Sequence, residues 1–263
     1  MNRLRIPALN MSIVLPCYNP KPGWHFQVAN QYQEIKKHLP ADIQIELIVV
    51  DDGSPSPATP AARRFLNRRC PHFKYITYGQ NMGKGYAVRK GVEAAQAPIV
   101  IYTDIDFPYT AMDFCKVYET LRSGNAELVM GKREDNYDQR LSSMRRLASN
   151  ACNYLNQTLL NLPYKDVQSG LKGMNAVGRA LLLKTTINRF LFDTEFIWLA
   201  NSYSNIRIKA LPVSLREGII FTSMSSSVYI NETGNFCRLF IKDKLLLLRR
   251  FDAEFQTAIP RTA

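Results

Sequence analysis

Residues 99–106 read Ile-Val-Ile-Tyr-Thr-Asp-Ile-Asp. Ile99–Tyr102 is a short apolar run, rich in β-branched side chains and closed by polar residues, which predicts a buried strand. The closing element is Asp104-Ile105-Asp106. On an extended segment, carboxylates at i and i+2 project to the same side. With phosphate oxygens beside them, such a pair suits a hard divalent cation that keeps some water, Mg²⁺ or Mn²⁺. A D-x-D in a surface turn is common, but one placed directly after a buried strand marks a site.

Working outward, similar apolar runs occur at Met11–Leu15, Ile43–Val50, Phe73–Thr77 and Glu127–Met130. Helical stretches over 24–38, 59–69, 84–95 and 111–123 lie between them. Alternation at this spacing predicts right-handed βαβ units, an α/β fold and a mostly parallel central sheet flanked by helices. The second half is less regular. A helix is expected over 140–161, a short strand near Gly170–Asn175, helices near 177–185 and 193–203, and a strand at Ile206–Leu211. A last amphipathic helix is expected over 235–251. No internal repeat or linker divides the chain, so one domain over 1–234 carries a C-terminal extension over 235–263.

Composition narrows the function classes. Across 263 residues, 46% hydrophobic and 21% charged is ordinary globular usage and excludes a disordered chain. Five cysteines, widely spaced and without C-x-x-C, argue against a zinc site or a disulfide framework. That usage fits a reducing, cytoplasmic compartment. No apolar run is long enough to span a membrane, and the N-terminus lacks the apolar core of a signal peptide. The net charge of +12 points to an anionic partner. Residues 61–90 alone hold eight Lys and Arg and no acid.

In open α/β sheets, ligands collect at the carboxyl ends of the strands. Three polar clusters fall there: Pro16-Cys17-Tyr18-Asn19-Pro20, Asp51-Asp52-Gly53-Ser54 and Asp104-Ile105-Asp106. The stretch Gly79–Gly85 (GQNMGKG) is one residue short of a P-loop, and Gly85 stands where the metal-binding hydroxyl belongs. It also lacks the third glycine of a dinucleotide fingerprint, since Val88 occupies that place. What remains is a glycine-containing turn that opens a helix, with Lys84, Arg89 and Lys90 near its start as partners for phosphate.

The ordered set P-C-Y-N-P, I-V-V-D-D-G-S, N-M-G-K-G, Y-T-D-I-D, G-K-R and D-V-Q-S-G resembles the inverting family 2 glycosyltransferases, whose fold is GT-A. Within them it looks most like the polyprenyl-phosphate (dolichyl-phosphate) hexosyltransferases. The resemblance covers about residues 11–217. It implies a nucleotide-sugar site built from Pro16, Tyr18, Asn19 and Asp51 at the base, with Lys84 and Asp104 at the phosphates. A carboxylate at the base accepts the imino N–H of uracil or guanine. By the same resemblance, Asp104 and Asp106 hold the metal and the diphosphate, and Arg133 of the G-x-R element meets a phosphate. Asp166, Gln168 and Ser169 form the acceptor-side turn, and Arg216 is a late basic residue on phosphate. The chain departs from the family where Pro20 replaces the usual Glu, and where Arg216-Glu217-Gly218 lacks the following Lys.

The implied reaction is an in-line displacement at the anomeric carbon with inversion, assisted by Asp106 and Arg133. A hydroxyl acceptor would need a base, for which Asp193 and Glu195 stand ready, although Asp193 could equally cap a helix. A lipid phosphate is already largely dianionic and needs only cations. The expected partners are a UDP- or GDP-hexose, a polyprenyl phosphate and an anionic membrane surface met from the cytoplasmic side. The tail residues Phe236, Leu239, Phe240, Leu247 and Phe251 share a helical face that suits an interfacial helix, or one docked on the core. Transfer to a glycan or lipid hydroxyl, nucleotidyl transfer and nucleic-acid binding are the rival readings. No nucleic-acid partner is expected, because the chain lacks the zinc-finger, RRM and KH signatures.

Overall fold

The computed structural model describes residues 8–133, 150, 153–164, 166–217 and 226–244. The elements run β1 (Met11–Cys17), α1 (Trp24–Lys37), β2 (Ile45–Asp51), α2 (Pro60–Arg69), β3 (His72–Thr77), α3 (Lys84–Ala94), β4 (Ile99–Tyr102), α4 (Ala111–Arg122) and β5 (Leu128–Arg133). They continue with α5 (residues 153–159), β6 (Lys172–Met174), α6 (Ala176–Leu183), α7 (Phe192–Asn201), β7 (Ile208–Val213) and α8 (Ser226–Lys244). One seven-stranded sheet results, in the order β3-β2-β1-β4-β6-β5-β7. Its neighbours pair in parallel except at β6, which runs antiparallel to both β4 and β5.

The central strands β1, β2 and β4 are buried along their whole length and mostly apolar because both faces of the sheet are covered there. Val14, Ile48 and Val50 point to the face packed by α3, α6 and α7. Ile13, Leu15, Leu47 and Val49 point to the face packed by α1, α2 and α4. Helix α3 lies close on β1 and β2. A Cβ at Gly91 would stand 2.3 Å from Val14 Cγ1, so only glycine permits that approach.

Helix α8 begins nine residues before the expected 235, and residues 245–251 lie outside the described ones. Its Leu239 is fully buried in the core on the α7 side, and Phe236 packs against that core. Most of the helix expected over 140–161 also lies outside the described residues; 153–159 is helical.

The antiparallel insertion of β6 has one direct effect. It puts the first residue of β6 at the sheet end where β4 finishes: Lys172 stands opposite Tyr102, the last residue of β4, and Met130 of β5. The Lys172 side chain is fully buried there. Its Nζ lies 2.6 Å from Asp193 Oδ1 of α7, whose side chain is 4% exposed. The Tyr102 hydroxyl donates to the same oxygen at 2.6 Å. Lys172 also donates to the Ser169 carbonyl at 2.7 Å. Burial pulls the Lys172 ammonium below the usual lysine range, and Asp193 opposes that fall. Burial, then the Asp193 charge, pushes the Tyr102 phenol well above its usual range.

Removing one partner of a buried ion pair strands the other charge and costs about 3–5 kcal/mol, whereas replacing both with apolar groups is often neutral. Lys172→Met alone is therefore expected to lower unfolding stability by about that amount, and Lys172→Met with Asp193→Leu to recover most of the loss. Urea unfolding of the two single variants and the double variant measures the coupling. Additive losses would show that the two charges do not depend on each other.

Candidate active site

The carboxyl ends of β1, β2 and β4 converge as the sheet order requires. At β1 and β2, Cys17 pairs in register with Asp51. Asp51 is 1% exposed and accepts the Ser54 backbone N–H at 2.9 Å and the Tyr75 hydroxyl at 2.5 Å. Asn19 takes a left-handed φ of 47° and donates its backbone N–H to Ser54 Oγ at 2.7 Å. Pro16 is buried within β1, while Tyr18 stands 52% exposed beside the opening. Burial, followed by the charges of Asp51 and Asp52, pushes the Cys17 thiol up to about 12.

The second carboxylate of the D-D doublet has a separate task. Asp52 accepts the backbone N–H groups of Met82 at 2.9 Å and Gly83 at 2.8 Å, and the Tyr78 hydroxyl at 2.7 Å. It thereby fixes the loop that leads into α3. Its sequence signal is only the doublet, which does not distinguish a base-pocket carboxylate from a loop anchor.

Lys84, the first residue of α3, reaches into the cleft. Its Nζ lies 2.6 Å from Asp104 Oδ1, with 16% of the side chain exposed. Burial acts to lower the Lys84 ammonium, but Asp104 and then Asp193 raise it above the usual lysine range, so it stays charged. On the other side of Asp104 lies Gly170, where a Cβ would come within 2.6 Å of Asp104 Oδ2. The glycine leaves room for that carboxylate.

The expected extended D-x-D needs correction. The strand ends at Tyr102, and residues 104–107 form a turn closed by the Phe107 N–H to the Asp104 carbonyl at 2.9 Å, with Phe107 at φ 45°. The turn, rather than strand alternation, brings the two carboxylates near each other. Asp106 is an exposed residue at the cleft mouth. Its carboxyl is nonetheless held above the ordinary range by partial desolvation and by the Asp104 charge, with Lys84 and Arg216 pulling the other way. Gln27 and Arg216 pin this turn from outside. Gln27 Nε2 donates to the Asp106 carbonyl at 2.6 Å. Arg216 Nη2 donates to the same carbonyl at 3.0 Å and its Nε to the Phe107 carbonyl at 2.7 Å. Gln27 carries no motif that would single it out in the sequence.

The turn Asp166–Gly170, expected on the acceptor side, is ordered by a second ion pair. Arg133 donates through its Nε to Asp166 at 2.8 Å, through its backbone N–H at 2.9 Å, and through Nη2 in a further short contact. Asp166 adopts a φ of 61° to receive them. Ser169 is fully buried, with Oγ 3.0 Å from the Tyr109 hydroxyl, which accepts the Gly170 N–H at 3.1 Å. Gln168 is half-buried between them in sequence. Tyr109 and Tyr102 were not singled out from the sequence, because buried polar residues within an apolar pattern read as ordinary core; Lys172, which reads there as a cation available to an acceptor phosphate, is instead buried against Asp193.

The two carboxylates read as possible bases are both buried. Asp193 is engaged by Lys172 and Tyr102 and does not cap α7, whose N-cap Leu191 has no side-chain bond. Glu195, in the first turn of α7, braces the loop ahead of that helix. Its Oε2 accepts the N–H groups of Thr186 at 2.8 Å and Ile187 at 2.7 Å, and Oε1 accepts the Thr186 hydroxyl at 2.9 Å. Arg89 joins the same loop through the Ile187 carbonyl at 2.8 Å, and Lys90 pairs with Glu93. Of the three cations near the start of α3, Lys84 alone is bound to a cleft carboxylate.

Among the described residues, no group of three His, Cys, Asp or Glu side chains forms a metal cage. Asp104 and Asp106 supply two hard oxygen donors whose mutual repulsion Lys84 only partly offsets. That donor set fits a divalent cation completed by substrate oxygens and water, as Mg²⁺ usually is.

The fold and the sequence have known counterparts. Residues 12–185, more than half of the chain, match the family described as Glycosyl transferase family 2. A dolichyl-phosphate beta-glucosyltransferase of Dictyostelium discoideum is 25% identical over 240 residues, covering 86% of this chain and 73% of that protein. A dodecaprenyl-phosphate galacturonate synthase of Rhizobium johnstonii is 22% identical over 211 residues, covering 80% of this chain and 60% of that protein. Among solved structures, glucosyl-3-phosphoglycerate synthase from Mycobacterium tuberculosis with uridine diphosphate aligns at TM-score 0.60 and 15% identity, over 89% of this chain and 80% of that one. S. aureus TarS with UDP-GlcNAc aligns at TM-score 0.55 and 16% identity, over 90% and 67%. These structural likenesses establish the GT-A fold. With the ordered motifs at the strand ends and a match across most of the sheet, the chain belongs to glycosyl transferase family 2.

Proposed function

We propose that the chain transfers a hexose from a nucleoside-diphosphate sugar to polyprenyl phosphate, inverting the anomeric carbon. The observation that carries this reading is the convergence of Lys84, Asp104 and Asp106 at one sheet end, beside a turn held by Arg216. The names of the relatives, which act on dolichyl and dodecaprenyl phosphates, support the acceptor class.

In this reading the nucleotide base lies over Pro16–Asn19 with its imino N–H toward Asp51, and the diphosphate lies against Lys84. Asp104 and Asp106 would hold Mg²⁺ or Mn²⁺, which would neutralise charge developing on the leaving diphosphate. Lys84 adds a fixed positive charge at the same place without reorganising during the reaction. The acceptor phosphate attacks from the side of the Asp166–Gly170 turn. Arg216 spends Nε and Nη2 on carbonyl groups and keeps its Nη1 hydrogens for an anion. A hydroxyl acceptor would need a base, and Asp193 and Glu195 are buried and engaged. A phosphate needs none, which favours it as nucleophile. No helix among the described residues is long and apolar enough to cross a membrane; in this reading a lipid substrate is met with α8 near the surface.

A thermal-shift panel of nucleoside diphosphates, with and without Mn²⁺, tests the donor. UDP or GDP at a hundredfold excess over its dissociation constant should stabilise the fold by about 2.7 kcal/mol, and only with metal present. An equal shift in EDTA would remove the metal from the site. Asp106→Ala should lower kcat roughly a hundred- to a thousandfold with an unchanged circular dichroism spectrum. Asp51→Ala should raise donor KM more than it lowers kcat, as loss of an interaction made equally in ground and transition states does. Transfer to a polyprenyl phosphate but not to the matching polyprenol is the expected acceptor result; the opposite preference would overturn the phosphate assignment.

A further inference from the structure

Behind the loop that Asp52 anchors, a cavity of about 260 Å³ lies between residues 186–189 and α8. Met82, Asn188 and Arg189 form one side of it, Asn235 and Arg238 the other. Among the described residues no acidic side chain lines it, and both arginines are exposed. Neither guanidinium has a hydrogen-bond or ion-pair partner among the described residues. The Asn188 side-chain oxygen accepts from Arg89, which leaves its amide hydrogens as donors. The cavity thus offers donors and positive charge without a counter-ion, and guanidinium forks match phosphate geometry.

Large apolar side chains flank both arginines. Phe190, next to Arg189, is 36% exposed, and Ile241, three residues after Arg238 on α8, is 53% exposed. Residues three apart on a helix are surface neighbours. The two halves are tied together, because the Glu232 carboxylate of α8 accepts the N–H groups of Phe190 at 3.1 Å and Leu191 at 2.8 Å. Cations beside exposed apolar residues on a fixed surface are the signature of seating on an anionic lipid interface.

We propose that this cavity takes the phosphate of an anionic phospholipid headgroup and seats the chain on the membrane, with Phe190 and Ile241 entering the interface beside it. The inference rests on the lipid-acceptor reading only for the presence of a bilayer. Met82 links the cavity to the catalytic cleft, since its backbone N–H is held by Asp52 two residues before Lys84. A seat here therefore lies on the wall that the cleft itself uses.

The test is flotation of the full chain with vesicles of phosphatidylcholine alone and of phosphatidylcholine mixed with phosphatidylglycerol. Binding is expected only to the mixed vesicles. Arg189→Gln with Arg238→Gln should lower that partitioning about thirtyfold, taking each arginine near the surface at its usual worth. Arg64→Gln with Arg68→Gln, which removes the same charge from α2, should change it far less. Equal losses in the two pairs would mean diffuse attraction to net charge and would overturn the pocket. Release from vesicles by millimolar inorganic phosphate or glycerol phosphate, with a thermal shift that the Arg189/Arg238 pair abolishes, would assign the cavity to a free phosphate and overturn the lipid. The UDP and Mn²⁺ thermal shift should persist in both variant pairs. Its absence from the unmodified chain would count against the donor reading, and a failure of selective flotation against this one.

Discussion

One buried ammonium between crowded carboxylates organises the cleft. Lys84 Nζ sits 2.6 Å from Asp104, under the influence of Asp193 as well, and Asp104 in turn raises the Asp106 carboxyl. Asp104 and Asp193 make the Lys84 charge tolerable there, while Asp104 and Asp106 repel each other. The elements that supply them, the start of α3, the turn after β4 and the start of α7, are held in place by separate anchors: Asp52 for the loop before α3, Gln27 and Arg216 for the turn, and Lys172 with Tyr102 for Asp193. The cleft is negative at its mouth and positively charged beneath, an arrangement suited to a ligand whose own negative charge arrives with a divalent cation.

The first half of this fold was open to reading because its strands are buried on both faces. Continuous β-branched runs such as Ile45–Asp51 and Ile99–Tyr102 have no competing interpretation once helices of matching length separate them. The direction of β6 was not open to reading in the same way. Three residues, Lys172–Met174, carry no period, and an antiparallel insertion leaves no mark on a one-dimensional pattern. Asp104 and Asp106 interact across a turn rather than through strand alternation, which the sequence pattern does not display. Asp193 and Glu195 lie two residues apart on one helix, yet their tasks diverge because the first faces β6 and the second faces the loop 185–188. Only the neighbours that packing brings in decide such roles, and those neighbours are distant in sequence.

The positive charge is likewise less uniform than its total suggests. Lys74 is matched by the buried Glu46, Lys84 by Asp104, Arg133 by Asp166 and Arg207 by Glu127. Each of these cations already faces an acid, and Arg207 is the most exposed of the four. The cations that remain outward include Arg63 and Arg64 on α2 and the two on either side of the α8 cavity. Net charge therefore overstates the attraction any one face exerts, and the faces differ in what accompanies their cations: exposed apolar side chains sit beside those at α8.

The bare backbone at Gly170 carries a consequence of its own. Its neighbour Asp104 occupies the space that any larger residue would claim, at a separation no side-chain carbon tolerates. A single added methyl would act as a wedge, prising the acid off its lysine while leaving the hydrophobic layers untouched. A substitution at this position would therefore press first on the acid beside Lys84 and only then on the packing of the sheet.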